Sequence, residues 1–412
     1  MSTSTSYISF LLSNWRFLSF GLLMTFGSSF GQTYFISLFS ADIRESFDLS
    51  HGDFGTLYAA ATLASAATLI WLGRKVDTID LRAFTLFVTL GLTTACALMA
   101  WLPSIVVLGL AIYTLRLFGQ GLMGHTSATA MARYFFRSRG TALSIAALGY
   151  PIGEGLFPYT AVTLLGYFTT GQTWGIIAII VAIVITPIAQ IFLTGHSARH
   201  QKYLELATSR TGSTDSQRSF SRRDVLRDKN FYVILSVILA PSFIITGIFF
   251  HQVHLANVKG WELSHFAASF VAFAACQLGS SLFTGPTIDR SNAVRLLPLF
   301  LAPMGASLIV LASFDSSITI IVFMCLAGTT SGASTTISGA LWAEVYGVSH
   351  IGAIKAMATA LMVFASACSP AILGWLFDGS IEFSAILYVM AFYIVTASIF
   401  ARFWFKNGVR QT

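Results

Sequence analysis

Apolar runs of bilayer-spanning length recur along the whole chain, separated by short polar or Pro/Gly breaks. Twelve such segments are predicted, over 14–40, 54–73, 83–101, 104–132, 141–166, 173–194, 231–256, 263–285, 293–313, 316–340, 351–376 and 381–405. A helix needs about 20 residues to cross the hydrocarbon core, and these runs supply that length. Strands of a barrel would alternate with period two, whereas these runs are continuously apolar, so the pattern predicts an all-α bundle of twelve transmembrane helices. One long polar stretch interrupts the series. Residues 195–230 carry eight basic and four acidic side chains and read as a flexible linker between a half over 1–194 and a half over 231–412. The N-terminal MSTSTSYISF is polar and short, unlike a cleavable signal peptide.

Composition makes the membrane reading stronger. The chain is 55% hydrophobic and only 10% charged, with a mean hydropathy of +0.74, outside the range of a water-soluble domain of 412 residues. Orientation follows from the basic residues. With the N-terminus in the cytoplasm, all of the 24 Lys and Arg except Arg44, Arg116 and Lys259 fall at cytoplasmic ends or loops, as the positive-inside bias requires. Both termini are therefore expected in the cytoplasm. The net charge of +7 reflects this bias and calls for no nucleic-acid partner. Cys96, Cys276, Cys325 and Cys368 all fall inside predicted spans, without a CxxC pair, and are expected to pack rather than to bind metal or form disulfides. No N-x-[ST] sequon occurs, which favours a bacterial inner membrane over a glycosylated animal surface.

Between the second and third spans stands WLGRKVDTIDLR, a charged interruption in an apolar chain, and GPTIDRSNAVR at residue 285 repeats its Gly-x-x-x-Asp spacing. Both Gly73 to Gly285 and Asp77 to Asp289 are shifts of 212 residues. Without a gap the same shift carries Tyr134 onto Tyr346, Gly140 onto Gly352 and Pro158 onto Pro370. It skips six spans and so preserves sidedness, which predicts two parallel six-helix bundles.

Twelve spans in two parallel halves, the loop Gly73 to Arg82, its echo Gly285 to Arg290, and R116LFGQG in the fourth span resemble the major facilitator superfamily over nearly the whole chain. The run ARYFFRSRGTALSIAALGYPIG and the WAEVYG block are similar to the branch that contains monocarboxylate transporters and oxalate/formate exchangers. The chain departs from those proteins in lacking a mid-helix Lys in the first span and an Asp/Arg pair in the eighth, and Lys355 sits near the start of the eleventh span rather than deep within it. The resemblance implies a major facilitator fold and a gating role for the loop: Gly73 and Gly285 permit close approach of helices, while Asp77 and Asp289 pair with basic groups, with Arg82 and Arg290 as nearby basic partners. The alternative is a charged turn that merely anchors at the headgroups.

Ionisable groups inside spans are costly and mark candidate sites. Apart from His, only two lie near mid-span, Arg116 and Glu154. Arg116 lies about 25 Å from Arg133 along the fourth helix, and Glu154 about 22 Å from Arg139 along the fifth, so the two share a depth and could pair. Gln120 lies one turn from Arg116 and shares its face. Either the two charges satisfy each other structurally, or Arg116 holds a substrate anion while Glu154 exchanges a proton. Gln32 and Tyr34 in the first span are further candidates for lining the path, as is His251, which shares a face with His254 near the outer end of the seventh. An H-x-x-H pair without a third ligand does not make a metal site.

These observations predict a secondary active transporter that moves a small solute, an organic anion such as a monocarboxylate, by proton-coupled alternating access. The expected partners are that solute, protons and the lipid bilayer, with no cofactor, and the protein is expected to function as a monomer. A multidrug or other small-molecule exporter of the same fold is the alternative. No Walker-type G-x-x-x-x-G-K-[ST] occurs, so ATP is not expected to drive transport directly. A membrane enzyme would need clustered His or carboxylates at a membrane surface, and the scattered histidines do not supply them.

Overall fold

The computed structural model describes residues 2–135, 138–201, 222–347 and 351–408. Among these residues all regular structure is helical. Among the described residues nine helices are long and apolar enough to cross a membrane: His51–Asp77, Leu81–Ala100, Ile105–Tyr134, Thr170–Phe192, Lys229–Phe250, Leu263–Ser291, Ile318–Tyr346, Ile351–Asp378 and Phe383–Lys406. Three of these starts are capped by side chains that accept from the first free amides. Asp80 accepts from the Arg82 and Ala83 amides, Thr169 and Gln172 form a reciprocal capping box, and Asp228 accepts from the Asn230 amide.

The other three predicted spans are interrupted. The helix Ser2–Gly27 gives way to a 3-10 turn over Ser28–Gly31, an extended Gln32 (φ −82°, ψ 152°) and a short helix Thr33–Ile36. The span expected over 141–166 is two helices, Arg139–Ala147 and Gly149–Leu165. That expected over 293–313 consists of Ala293–Leu296, a string of turns, and Ala302–Ser313. Pro298 and Pro303 each lack a backbone donor, which removes the ladder bonds a continuous helix would need there.

By its contacts the chain forms two compact units, Met1–Phe39 with Ala60–Ser213, and Ser40–Ala59 with Thr214–Thr412. The first has a core of stacked aromatics, with Phe30 against Phe157 at 4.6 Å between ring centres, Phe35 against Trp174 at 5.6 Å and Phe39 against Trp174 at 4.9 Å. In the second, Phe249 packs on Phe270 and Phe273 at 4.8 and 5.2 Å. Ser40–Ala59, part of the half expected over 1–194, packs inside the second unit because glycines let backbones meet: a Cβ on Gly52 would lie 2.6 Å from an Asp378 carboxylate oxygen, and one on Gly55 2.9 Å from the Ala371 Cα.

The 212-residue repeat has a structural counterpart. Tyr134 and Tyr346 are each the last residue of a helix, Gly124–Tyr134 and Ile318–Tyr346. The Tyr134 hydroxyl lies 2.9 Å from His200 Nδ1, and the Tyr346 hydroxyl donates to Asp228 Oδ2 at 2.9 Å. Both tyrosines hold residues near the two ends of the 195–230 linker, of which residues 202–221 lie outside the described residues.

Candidate functional site

The first unit is built around the break in its first helix. Gly31 ends the 3-10 turn and Gln32 turns extended, so the carbonyls at this point no longer feed a regular helical ladder. The neighbouring helix answers with a π-helical stretch over Leu115–Met123, a form that recurs at functional sites. Arg116 lies at the start of that stretch, only 2% exposed. Its Nη1 donates to the Gly31 carbonyl at 2.9 Å and reaches Thr33 Oγ1 at 3.4 Å. The two segments approach so closely that a Cβ on Gly119 would stand 2.8 Å from the Gly31 Cα.

Glu154, in the helix Gly149–Leu165, makes no ion pair with Arg116 within 4.0 Å among the described residues. Its Oε2 is buried without a hydrogen-bond partner there. Tyr34 is buried and placed to feel its charge. Gln32 is half-buried at the break, its carbonyl accepting from the Phe35 and Ile36 amides at 3.1 Å each, and Gln120 is half-buried in the π-helical stretch. Arg116, Gln120, Glu154, Gln32 and Tyr34 thus all belong to the first unit, where Arg116 donates to the Gly31 carbonyl and reaches Thr33.

The loop after His51–Leu72 is a 3-10 turn, Gly73–Asp77. Asp77 pairs with Arg133, and the same guanidinium donates to the Val76 carbonyl at 3.2 Å. Arg82, the expected partner, instead donates its backbone amide to Asp80. His125 Nε2 donates to the Gly73 carbonyl at 3.0 Å, and a Cβ on Gly73 would lie 3.2 Å from that same nitrogen. His125 and Arg133 are eight residues apart on one helix, so they share a face, a signal available in the sequence once the loop is the reference point. The echo differs. Gly285 lies inside the helix Leu263–Ser291 and a Cβ there meets nothing within 4 Å. Asp289 and Arg290 are exposed and join no ion pair among the described residues.

His251 belongs to a polar cluster in the second unit. Its Nε2 donates to the Pro370 carbonyl at 3.0 Å, and its ring lies 5.7 Å from that of His51, which in turn is 4.3 Å from His254. Arg44, His51, His251, His254 and Asn257 line a cavity of about 180 Å³. Burial holds the Arg44 guanidinium below its ordinary value, an effect that the charge of Asp378 offsets. Asp378 also accepts from the His51 and Gly52 amides at 3.0 and 2.8 Å, capping the start of His51–Leu72 from 326 or more residues away in the chain. Among the described residues no three His, Cys, Asp or Glu side chains gather as metal ligands, and the four cysteines are free thiols.

The Major Facilitator Superfamily model matches residues 21–279 and again 245–412. No curated protein matches the chain. Among solved structures, the chain is similar to a bacterial homolog of the human lysosomal transporter Spinster, in its inward-facing and occupied conformation, with a TM-score of 0.64. That alignment is 14% identical and covers 94% of this chain and 95% of the other, a likeness of fold. With an all-helical membrane architecture and a family match running from residue 21 to the last residue, the chain belongs to the Major Facilitator Superfamily, a family of transporters rather than enzymes.

Proposed function

We propose that this secondary transporter moves a small organic anion, with monocarboxylates the first class to test, and couples its movement to protons. Support comes chiefly from one observation: a buried guanidinium in a membrane span, Arg116, donates to the Gly31 carbonyl at a break in the first helix, in the same unit as the buried Glu154 carboxyl. The bond to Gly31 is to a neutral acceptor. A carboxylate arriving at the guanidinium would form a charge-assisted and bidentate contact, about twice as strong, and would displace it. Substrate binding then releases the broken segment of the first helix, so occupancy and the conformation of that helix become linked. Gln32, Tyr34 and Gln120 line the approach in this reading, and Glu154 alternates between carboxyl and carboxylate as the proton carrier. His251, in its own cluster, is kept as a contact for solute at the other end of the path.

The same reading gives the protein two transport halves, 1–194 and 231–412, joined by a linker over 195–230. It places the termini in the cytoplasm, in a bacterial inner membrane, and lets the protein work as a monomer. Gly73, Asp77 and Arg82 with Gly285, Asp289 and Arg290 form the gating loops, Arg133 acting as the partner of Asp77. The test is ligand-dependent stabilisation. Thermal midpoints of the purified protein are measured with formate, acetate, lactate and oxalate against neutral and cationic controls, since a ligand stabilises the state it binds. A midpoint raised by at least one anion in wild type and not in Arg116→Lys is expected, because an ammonium lacks the planar fork. Stabilisation by cationic or neutral compounds only, unchanged in Arg116→Lys, would favour an exporter of such compounds and overturn the anion reading.

A further inference from the structure

We infer that the second unit carries a binding groove for an anionic phospholipid. A groove of about 600 Å³ runs along the helix Leu263–Ser291 between Ala275 and Thr287, walled on its other sides by Ile318–Tyr346 and by the interrupted segment around Leu299 and Pro303. It lies away from the polar seam of the unit. Gln277 donates to Ser331 at 3.1 Å on the face where Gly328 and Gly332 let the two long helices touch, about 120° around the helix from Phe283. At the mouth, Leu282 and Phe283 are 74% and 78% exposed, which in a membrane-spanning helix means contact with lipid. The hydroxyls within it are already satisfied: Ser280 donates to Thr329 O at 2.7 Å, Thr284 to Ser280 O at 2.7 Å and Thr287 to Phe283 O at 2.8 Å. The lining therefore offers an apolar surface.

Length and charge identify the occupant. From Ala275 to Thr287 the helix rises about 18 Å, close to one leaflet, roughly half of the 30 Å hydrocarbon core. One turn beyond Thr287, and on nearly the same face as Phe283, stands Arg290; Arg295 is exposed beside Leu296, which lines the groove. Neither arginine makes a side-chain hydrogen bond or ion pair recorded among the described residues. Asp289, the one neighbouring carboxylate on this helix, falls about 120° away from Phe283. An acyl chain laid in the groove thus puts a phosphate headgroup level with two guanidinium groups. The chain also packs against Leu299 and Phe300, where the helix is broken by turns, and braces them.

The test needs no transported solute. Delipidated protein is incubated with equal amounts of dioleoyl phosphatidylglycerol and dioleoyl phosphatidylcholine, and retained lipid is counted by native mass spectrometry. Wild type is expected to retain phosphatidylglycerol in preference. The double variant Arg290→Gln, Arg295→Gln should lose that preference, by about fivefold for each charge removed. A Cβ on Gly279 meets nothing within 4 Å, so a side chain can start there without displacing a neighbour, and Gly279→Phe should occupy the groove and reduce retention of both lipids; Gly279→Leu replaces it if size-exclusion profiles show misfolding. Equal retention of the two lipids by wild type, or loss with the arginine variant and none with the groove-filling one, would overturn the inference.

Discussion

Gly31 is where the break in the first helix meets the π-helical stretch. A Cβ there would fall against the Leu115 carbonyl and lie 2.5 Å from the Gln120 amide and 2.8 Å from the Gly119 Cα. Gly31→Ala must push either the break or the π-helical stretch aside, and overpacking of this kind costs about 1–3 kcal/mol. It is expected to lower the thermal midpoint in detergent, whereas Gly285→Ala, with open space around its Cβ, should leave the midpoint unchanged or raise it slightly. Equal losses in the two variants would show that helix flexibility, not contact at Gly31, sets the effect. At this scale the sequence was informative about charges and silent about carbonyls. Arg116 and Glu154 stand out because each interrupts an apolar run. The acceptor of Arg116 could not be read, because a carbonyl freed by a helix break has no letter of its own.

Elements were legible where length and polarity changed together. The charged interruption at 73–82 marked a loop, and the five residues that return after 212 positions marked a repeat whose tyrosines both end helices. Partners across elements were less so: the loop itself offers Arg82 as a nearby partner for Asp77, while folding brings Arg133 from another helix. Asp77 is 60% exposed, so the pair contributes about 1 kcal/mol or less to stability. Asp77→Asn and Arg133→Gln are therefore expected to leave the thermal midpoint within a degree or so while slowing transport strongly and keeping equilibrium ligand binding within a few fold. The double variant should be no slower than either single one. Additive slowing would separate the two residues. In the second unit, Asp378→Ala removes the acceptor for the His51 and Gly52 amides and should cost about 0.5–2 kcal/mol, read as a lower thermal midpoint that Asp378→Asn partly restores.

For the molecule as a whole, the apolar spacing carried the fold class, since twelve runs of spanning length admit few architectures in a bilayer. It did not carry the interruptions in the first and ninth runs, where glycine and proline sit among residues apolar enough to pass as continuous helix. Sidedness rests on the basic residues alone. Reporter fusions within the linker are expected to read cytoplasmic and those beside Lys259 to read external; the reverse result would invert every assignment of side.

Proton coupling through Glu154 is tested most directly in proteoliposomes that hold a pH-sensitive dye, loaded with whichever anion stabilises the purified protein. Wild type should accumulate labelled anion when a pH gradient is imposed, with a matching pH change inside. Glu154→Gln, which mimics the protonated acid, should still exchange labelled for unlabelled anion and should accumulate none against its gradient. Gradient-driven accumulation by Glu154→Gln at the wild-type level, with the same internal pH change, would contradict the account.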